Sequence, residues 1–203
     1  MVRLHYWPKR GRAEQIRVLL NELDQPYEDV HLDGESFREL RARRPRVLWF
    51  GSIPMLEDGP VRLVQGPVIL SYLARKHGIA PAALGDAARA DAIAWGAEDL
   101  RIAYFDVWRD DTAALQQSLV RGPWSDRFLP GFDDLLEQSG TGFFVGSTLT
   151  HADIAVWDIL DSMISWVTGA TLEGWPRLAE FYAAIKSRPR IGAYLASDRR
   201  VNG

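Results

Sequence analysis

The 203 residues carry 24 Lys and Arg against 27 Asp and Glu, a net charge of −3, and so give no electrostatic reason to expect a nucleic-acid or membrane partner. Cys is absent, which excludes disulfides, zinc–thiolate centres and cysteine nucleophiles. No apolar run approaches the roughly 20 residues of a membrane span and no leader-like segment opens the sequence, so a cytoplasmic soluble chain of one large or two small domains is expected.

In chain order, a β-prone run (Val2 to Trp7) meets Pro8, two basic residues and Gly11. A helical pattern then opens at Arg12, with Ala13, Ile16, Leu19, Leu20 and Leu23 on one face. Tyr6 is thereby placed at the C-terminal end of a strand beside a helix N-terminus, the edge at which open α/β sheets bind ligands. A phenol there can donate to an anion within the positive field of the helix end. The structural alternative is a half-buried strand aromatic flanked by solvated arginines.

Gln25-Pro26 ends the helix, and Tyr27 to Leu32 reads as a second strand. Glu35 to Arg44 reads as a short charged helix, followed by an irregular loop from Pro45 to Gly51. Pro54 to Glu57 and Val61 to Val64 flank Asp58-Gly59, a strong hairpin signal. Gln65-Gly66-Pro67 opens a further helix, with Gly66 at the cap and Pro67 at the first helical position. The first 77 residues thus read βαβ and then ββα.

Gly78 to Gly85 is rich in small residues and marks the expected boundary, a linker spanning 78–85 between domains 1–77 and 86–203. Asp86 to roughly Gln117 is predicted to be one long helix, with another ending near Leu136. Thr150-His151-Ala152-Asp153 has the form of a capping box, with Leu149 and Ile154 as its staple. The last helices run from about Pro176 to Ser187 and onward from Pro189. The four His are scattered without metal-ligand spacing, so no metal is expected.

Four motifs together resemble one family. Tyr6-Trp7-Pro8-Lys9-Arg10-Gly11-Arg12-Ala13-Glu14 is similar to the amino-terminal signature of tyrosine-type glutathione transferases of the alpha, mu, pi and sigma kind. Ser52-Ile53-Pro54-Met55-Leu56, followed by Leu63-Val64-Gln65-Gly66, resembles that family's glutathione-cradling segment. Glu98-Asp99-Leu100-Arg101 resembles part of its long helix, and Gly146 to Asp153 resembles its capping-box motif.

The resemblance implies an α/β plus all-α fold, a thioredoxin-like amino-terminal domain followed by a helical-bundle domain, assembled as a homodimer. It implies glutathione as co-substrate and no metal. It also implies a cis Pro54, with the Ile53 backbone facing the cysteinyl part and Ser52 beside it. Gln65 and the amide of Gly66 would hold the γ-glutamyl carboxylate, and Asp99 would reach the γ-glutamyl ammonium from the other subunit. Arg44 or Arg46 would meet the glycyl carboxylate. Tyr6 would stabilise the thiolate, with Arg12 adding positive field. Trp7, Tyr104 and Arg109, with Phe105 and Trp108, would line a pocket for the hydrophobic electrophile.

Where this chain has Gly66 the family usually has Ser, so weaker glutathione binding is expected. Asp99 reads nearly as well as an interhelical or solvent-facing carboxylate. Three activities stay open on the same site: conjugation, glutathione-dependent isomerisation or peroxide reduction, and binding without catalysis.

Overall fold

The computed structural model describes residues 1–43, 47–110 and 112–201, which fall into two compact units. The first comprises 1–77 together with 188–203, and the second 78–187. The carboxy-terminal segment therefore belongs with the α/β unit, where the sequence had suggested the helical one.

In the first unit, β1 (Val2–Tyr6), β2 (Tyr27–His31), β3 (Met55–Asp58) and β4 (Val61–Val64) form a sheet of order β2-β1-β3-β4. β1 pairs in parallel with β2, while β1–β3 and β3–β4 are antiparallel. The hairpin turn falls on Gly59-Pro60, since Asp58 is still paired with Val61. Gly59 takes φ +60°, which the first central position of such a turn favours.

Helix α1 (Glu14–Glu22) starts two residues later than expected, because Gly11–Ala13 forms a tight 3₁₀ turn first. Helix α2 (Gly34–Ala42) is launched by a capping box between Asp33 and Ser36 that the sequence reading had not marked. Helix α3 (Gly66–Lys76) is capped by Gln65 at φ +76°, and Gly66 is already helical. The expected assignment of Gly66 to the cap is thus displaced by one residue. Ile16, Leu19, Leu20, Ile69, Leu70 and Leu73 are fully buried between these helices and the sheet. On the other side Leu32, Leu40, Leu48, Met55 and Val64 form a cluster against which Trp7, Phe37 and Ile53 pack.

The second unit is helical. Helix α4 (Leu84–Asp110) stops short of the predicted Gln117. Thr112 is extended and its side chain accepts from the Leu115 N–H, so a new helix, α5 (Ala113–Leu119), begins there. A wide π-type stretch (Val120–Phe128) containing Pro123 leads into α6 (Leu129–Ser139). Helix α7 (His151–Trp166) packs along α4 with Trp157 and Leu160 fully buried. Its capping box is formed as expected: Asp153 accepts from the Thr150 N–H (2.7 Å) and Thr150 Oγ1 accepts from the Ala152 N–H (3.2 Å). Helix α8 (Pro176–Lys186) completes this unit, and α9 (Pro189–Leu195) packs on α1 in the first.

Candidate active site

The sheet register builds the site. β1 and β3 pair His5 with Met55, and β3 and β4 pair Met55 with Val64. The ladders end there, and the next residues, Tyr6, Pro54 and Gln65, fall at the same end of three adjacent strands. At about 4.8 Å per strand this row is roughly 10 Å long. The Ile53–Pro54 bond is cis, as expected. Pro54 is buried and Ser52 and Gln65 are exposed, so this end of the sheet presents both backbone and side chains outward.

Tyr6 is only 6% exposed, and the chain after it folds back over its ring. Gly11 has φ +41°, and a Cβ there would lie 2.7 Å from the Tyr6 hydroxyl. The 3₁₀ turn that Gly11 opens aims the Arg12 backbone N–H at the phenol oxygen, which accepts at 3.1 Å. The contact from Arg12 to Tyr6 that the structure displays is therefore one of its backbone.

The turn itself is held by Arg17, a side chain with no exposed surface. It donates to the carbonyls of Lys9 (2.8 Å) and Arg10 (3.4 Å) and pairs with Asp29 at 2.7 Å. Its guanidinium carbon stands 6.0 Å from the Tyr6 ring centre. Burial works against its charge, yet the bonds and charges of Asp29 and Glu14 outweigh it and raise its pKa. Glu14, equally buried, accepts from the Tyr194 hydroxyl (3.1 Å) and from Arg200 (3.2 Å). The carboxy-terminal segment thus closes the charge network beneath the Tyr6 turn.

Arg44 and Arg46 lie outside the described residues. Trp7 sits against Phe37, ring centres 4.9 Å apart. In the second unit Tyr104 is buried beside Phe105, whereas Arg109 is exposed and paired with Asp106 on its own helix. Asp99 is exposed and faces Arg127 at 3.5 Å. A cavity of about 800 Å³ in that unit, lined by Gln116, Gln117, Arg121 and Thr168, contains none of the predicted site residues. Among the described residues no group of acidic or His side chains is placed to hold a metal, and no helix is long and apolar enough to cross a membrane.

Comparison with known proteins decides the family. The family model for the glutathione S-transferase N-terminal domain matches residues 2–75, and that for the C-terminal domain matches 98–198. Glutathione S-transferase P of Capra hircus is 30% identical over 97% of this chain and 92% of its own length. The chain belongs to the glutathione S-transferase family. Glutathione S-transferase Mu 1 of Oryctolagus cuniculus is 32% identical over 98% of this chain and 92% of its own. The solved glutathione S-transferase from Ascaris lumbricoides superposes with a TM-score of 0.84 at 26% identity, covering 97% of this chain and 96% of that one. The chain is thus a transferase-family enzyme with a thioredoxin-like first domain and a helical second one.

Glutathione transferases take glutathione as substrate. Gly11 lies inside the amino-terminal signature but with no role assigned to it there, and Gln15 and Arg17 follow that signature without a motif of their own. The helical period gave no signal for them: Glu14, Gln15 and Arg17 lie off the face of Ala13, Ile16, Leu19, Leu20 and Leu23, whereas the structure buries α1 on all sides.

Proposed function

We propose that the protein activates glutathione as a thiolate and conjugates it to hydrophobic electrophiles. The observation that carries this is the row Tyr6–Pro54–Gln65 set by strand register. Its span of roughly 10 Å matches an extended tripeptide at about 3.3–3.6 Å per residue. The γ-glutamyl carboxylate docks at the N-terminus of α3, between Gln65 and the Gly66 N–H. The cysteinyl part pairs with the Ile53 backbone beside Ser52, and its sulfur faces Tyr6. Either Arg44 or Arg46 neutralises the glycyl carboxylate, and Asp99 meets the γ-glutamyl ammonium of the partner subunit.

A thiol attacks only as thiolate. The Tyr6 O–H donates to that sulfur while its oxygen accepts from Arg12 N–H, and bonds in such a chain strengthen one another. A charge-assisted bond is worth about 1.5–3 kcal/mol, which lowers the thiol pKa by roughly one to two units. Arg12 and Arg17 add positive field. The enzyme acts in the cytoplasm as a homodimer, whose interface covers exposed apolar groups such as Trp49 (52% exposed) and Phe50 (66%).

The test is the initial rate with an activated chloronitroaromatic at saturating glutathione, for wild type and Tyr6→Phe across pH. The expected result is a wild-type rate well above background that drops tenfold or more in Tyr6→Phe near pH 6.5, with the profile moved up by one to two units. Equal rates in both proteins would remove Tyr6 as the activating group. Glutathione binding without turnover would transfer the assignment to isomerisation or to binding alone.

A further inference from the structure

Gln15 stands in α1 one turn after Arg12, 1% exposed. Its side-chain N–H donates to the Arg12 carbonyl at 3.2 Å, and the Arg12 N–H donates to the Tyr6 hydroxyl at 3.1 Å. The same carboxamide occupies the space above Gly66: a Cβ on Gly66 would lie 2.9 Å from Gln15 Nε2 and 3.6 Å from the Arg12 carbonyl oxygen. Gly66 is buried and is the first residue of α3. One amide therefore touches both the N-terminus of α3 and the peptide that holds the phenol oxygen.

We propose that Gln15 is a positioning residue for Tyr6, fixing the Arg12 peptide from behind, and that Gly66 is glycine because any side chain there would push the Gln15 carboxamide off that peptide. The proposal rests on the thiolate-activating role of Tyr6 given above. It reverses what the missing serine hydroxyl suggested. Glycine at 66 is then not simply a lost contact to glutathione, since a serine restored there would gain a hydroxyl and loosen the Tyr6 turn.

Gln15→Leu keeps the volume and removes the N–H donor. Loss of one hydrogen bond of ordinary strength corresponds to about a fivefold change. Glutathione conjugation by Gln15→Leu should therefore fall about fivefold in kcat/KM at pH 6.5, with the apparent pKa of its pH profile raised by roughly half a unit to one unit. A role in packing alone would leave the pH profile in place. Gly66→Ser should move the profile in the same direction, and should do so less in a Gln15→Ala background, where the carboxamide is no longer in the way.

A folded Gln15→Leu with the wild-type pH profile would overturn the proposal, as would a Gly66→Ser enzyme with raised kcat/KM. If Gln15→Leu does not fold, Gly66→Ser alone decides. Absence of glutathione binding and turnover in wild type would instead sink the proposed function itself, which is a separate result.

Discussion

Gly11 offers the sharpest test of how the Tyr6 turn is built. In Gly11→Ala two costs add. The backbone at φ +41° is disfavoured for an L side chain by roughly 1–2 kcal/mol. The new Cβ also meets the Tyr6 hydroxyl at 2.7 Å, Cε1 at 3.0 Å and Cζ at 3.2 Å. These atoms belong to a rigid ring that is 6% exposed and anchored at its oxygen, so relief requires moving the ring or the turn, at roughly 1–3 kcal/mol. The sum is roughly 2–5 kcal/mol, or a fall in Tm of roughly 5–15 °C for a chain of this size. Gly59→Ala is the control, because Gly59 has φ +60° with nothing within 4 Å of its Cβ position. It carries the first cost alone. Urea unfolding of the two variants separates the overlap energy from the backbone energy, and the conjugation pH profile reports whether Tyr6 has moved. Equal destabilisation of both variants, with an unshifted profile in Gly11→Ala, would refute the close packing of the turn on Tyr6.

Two further predictions concern stability. Arg17→Leu leaves the Asp29 and Glu14 carboxylates without their buried cation and removes its hydrogen bonds to the Lys9 and Arg10 carbonyls; urea unfolding should show a loss of about 3–5 kcal/mol, and a loss under about 1 kcal/mol would contradict the network. At the capping box of α7, burial pushes the Asp153 carboxyl up from 3.8 to about 6, against the three bonds it accepts from Phe144 and Thr150. A raised folded pKa means that this group's contribution is complete below about pH 4 and is lost as pH rises through 6. The unfolding free energy of wild type minus that of Asp153→Asn should therefore fall by about 3 kcal/mol between pH 4 and pH 7, and a flat difference would refute the shift.

The parts of the molecule legible in the sequence are those decided by neighbours along the chain. The Asp-Gly hairpin signal, the Thr150–Asp153 cap and the strand before Pro8 rest on backbone rules that act within four or five residues. Where a rule was local but two signals competed, the boundary slipped. Glycine suits caps, which favours Gly66 there, whereas the structure makes it the first helical residue with the Gln15 amide lying against it from another helix. Thr112 was absorbed into the long helix because the apolar pattern continued past it, although its hydroxyl caps a new one.

What stayed hidden depends on partners far away in sequence. Glu14 and Arg17 lie off the apolar face of α1, where solvent is the simplest partner, yet both are buried, and Tyr194 and Arg200, some 180 residues later, bond Glu14. This also explains the assignment of residues 188–203 to the wrong unit, since a short helix after Pro189 carries no mark of what it packs against. The row proposed to hold glutathione has the same character. Tyr6, Pro54 and Gln65 each had a local motif, but only the pairing of His5 with Met55 and of Met55 with Val64 puts them side by side. A one-residue slip in either ladder would turn alternate side chains to the opposite face and break the row while leaving every motif intact. The site is therefore a property of the register, and the glycine, glutamine and arginine behind Tyr6 hold its hydroxyl at the place the register provides.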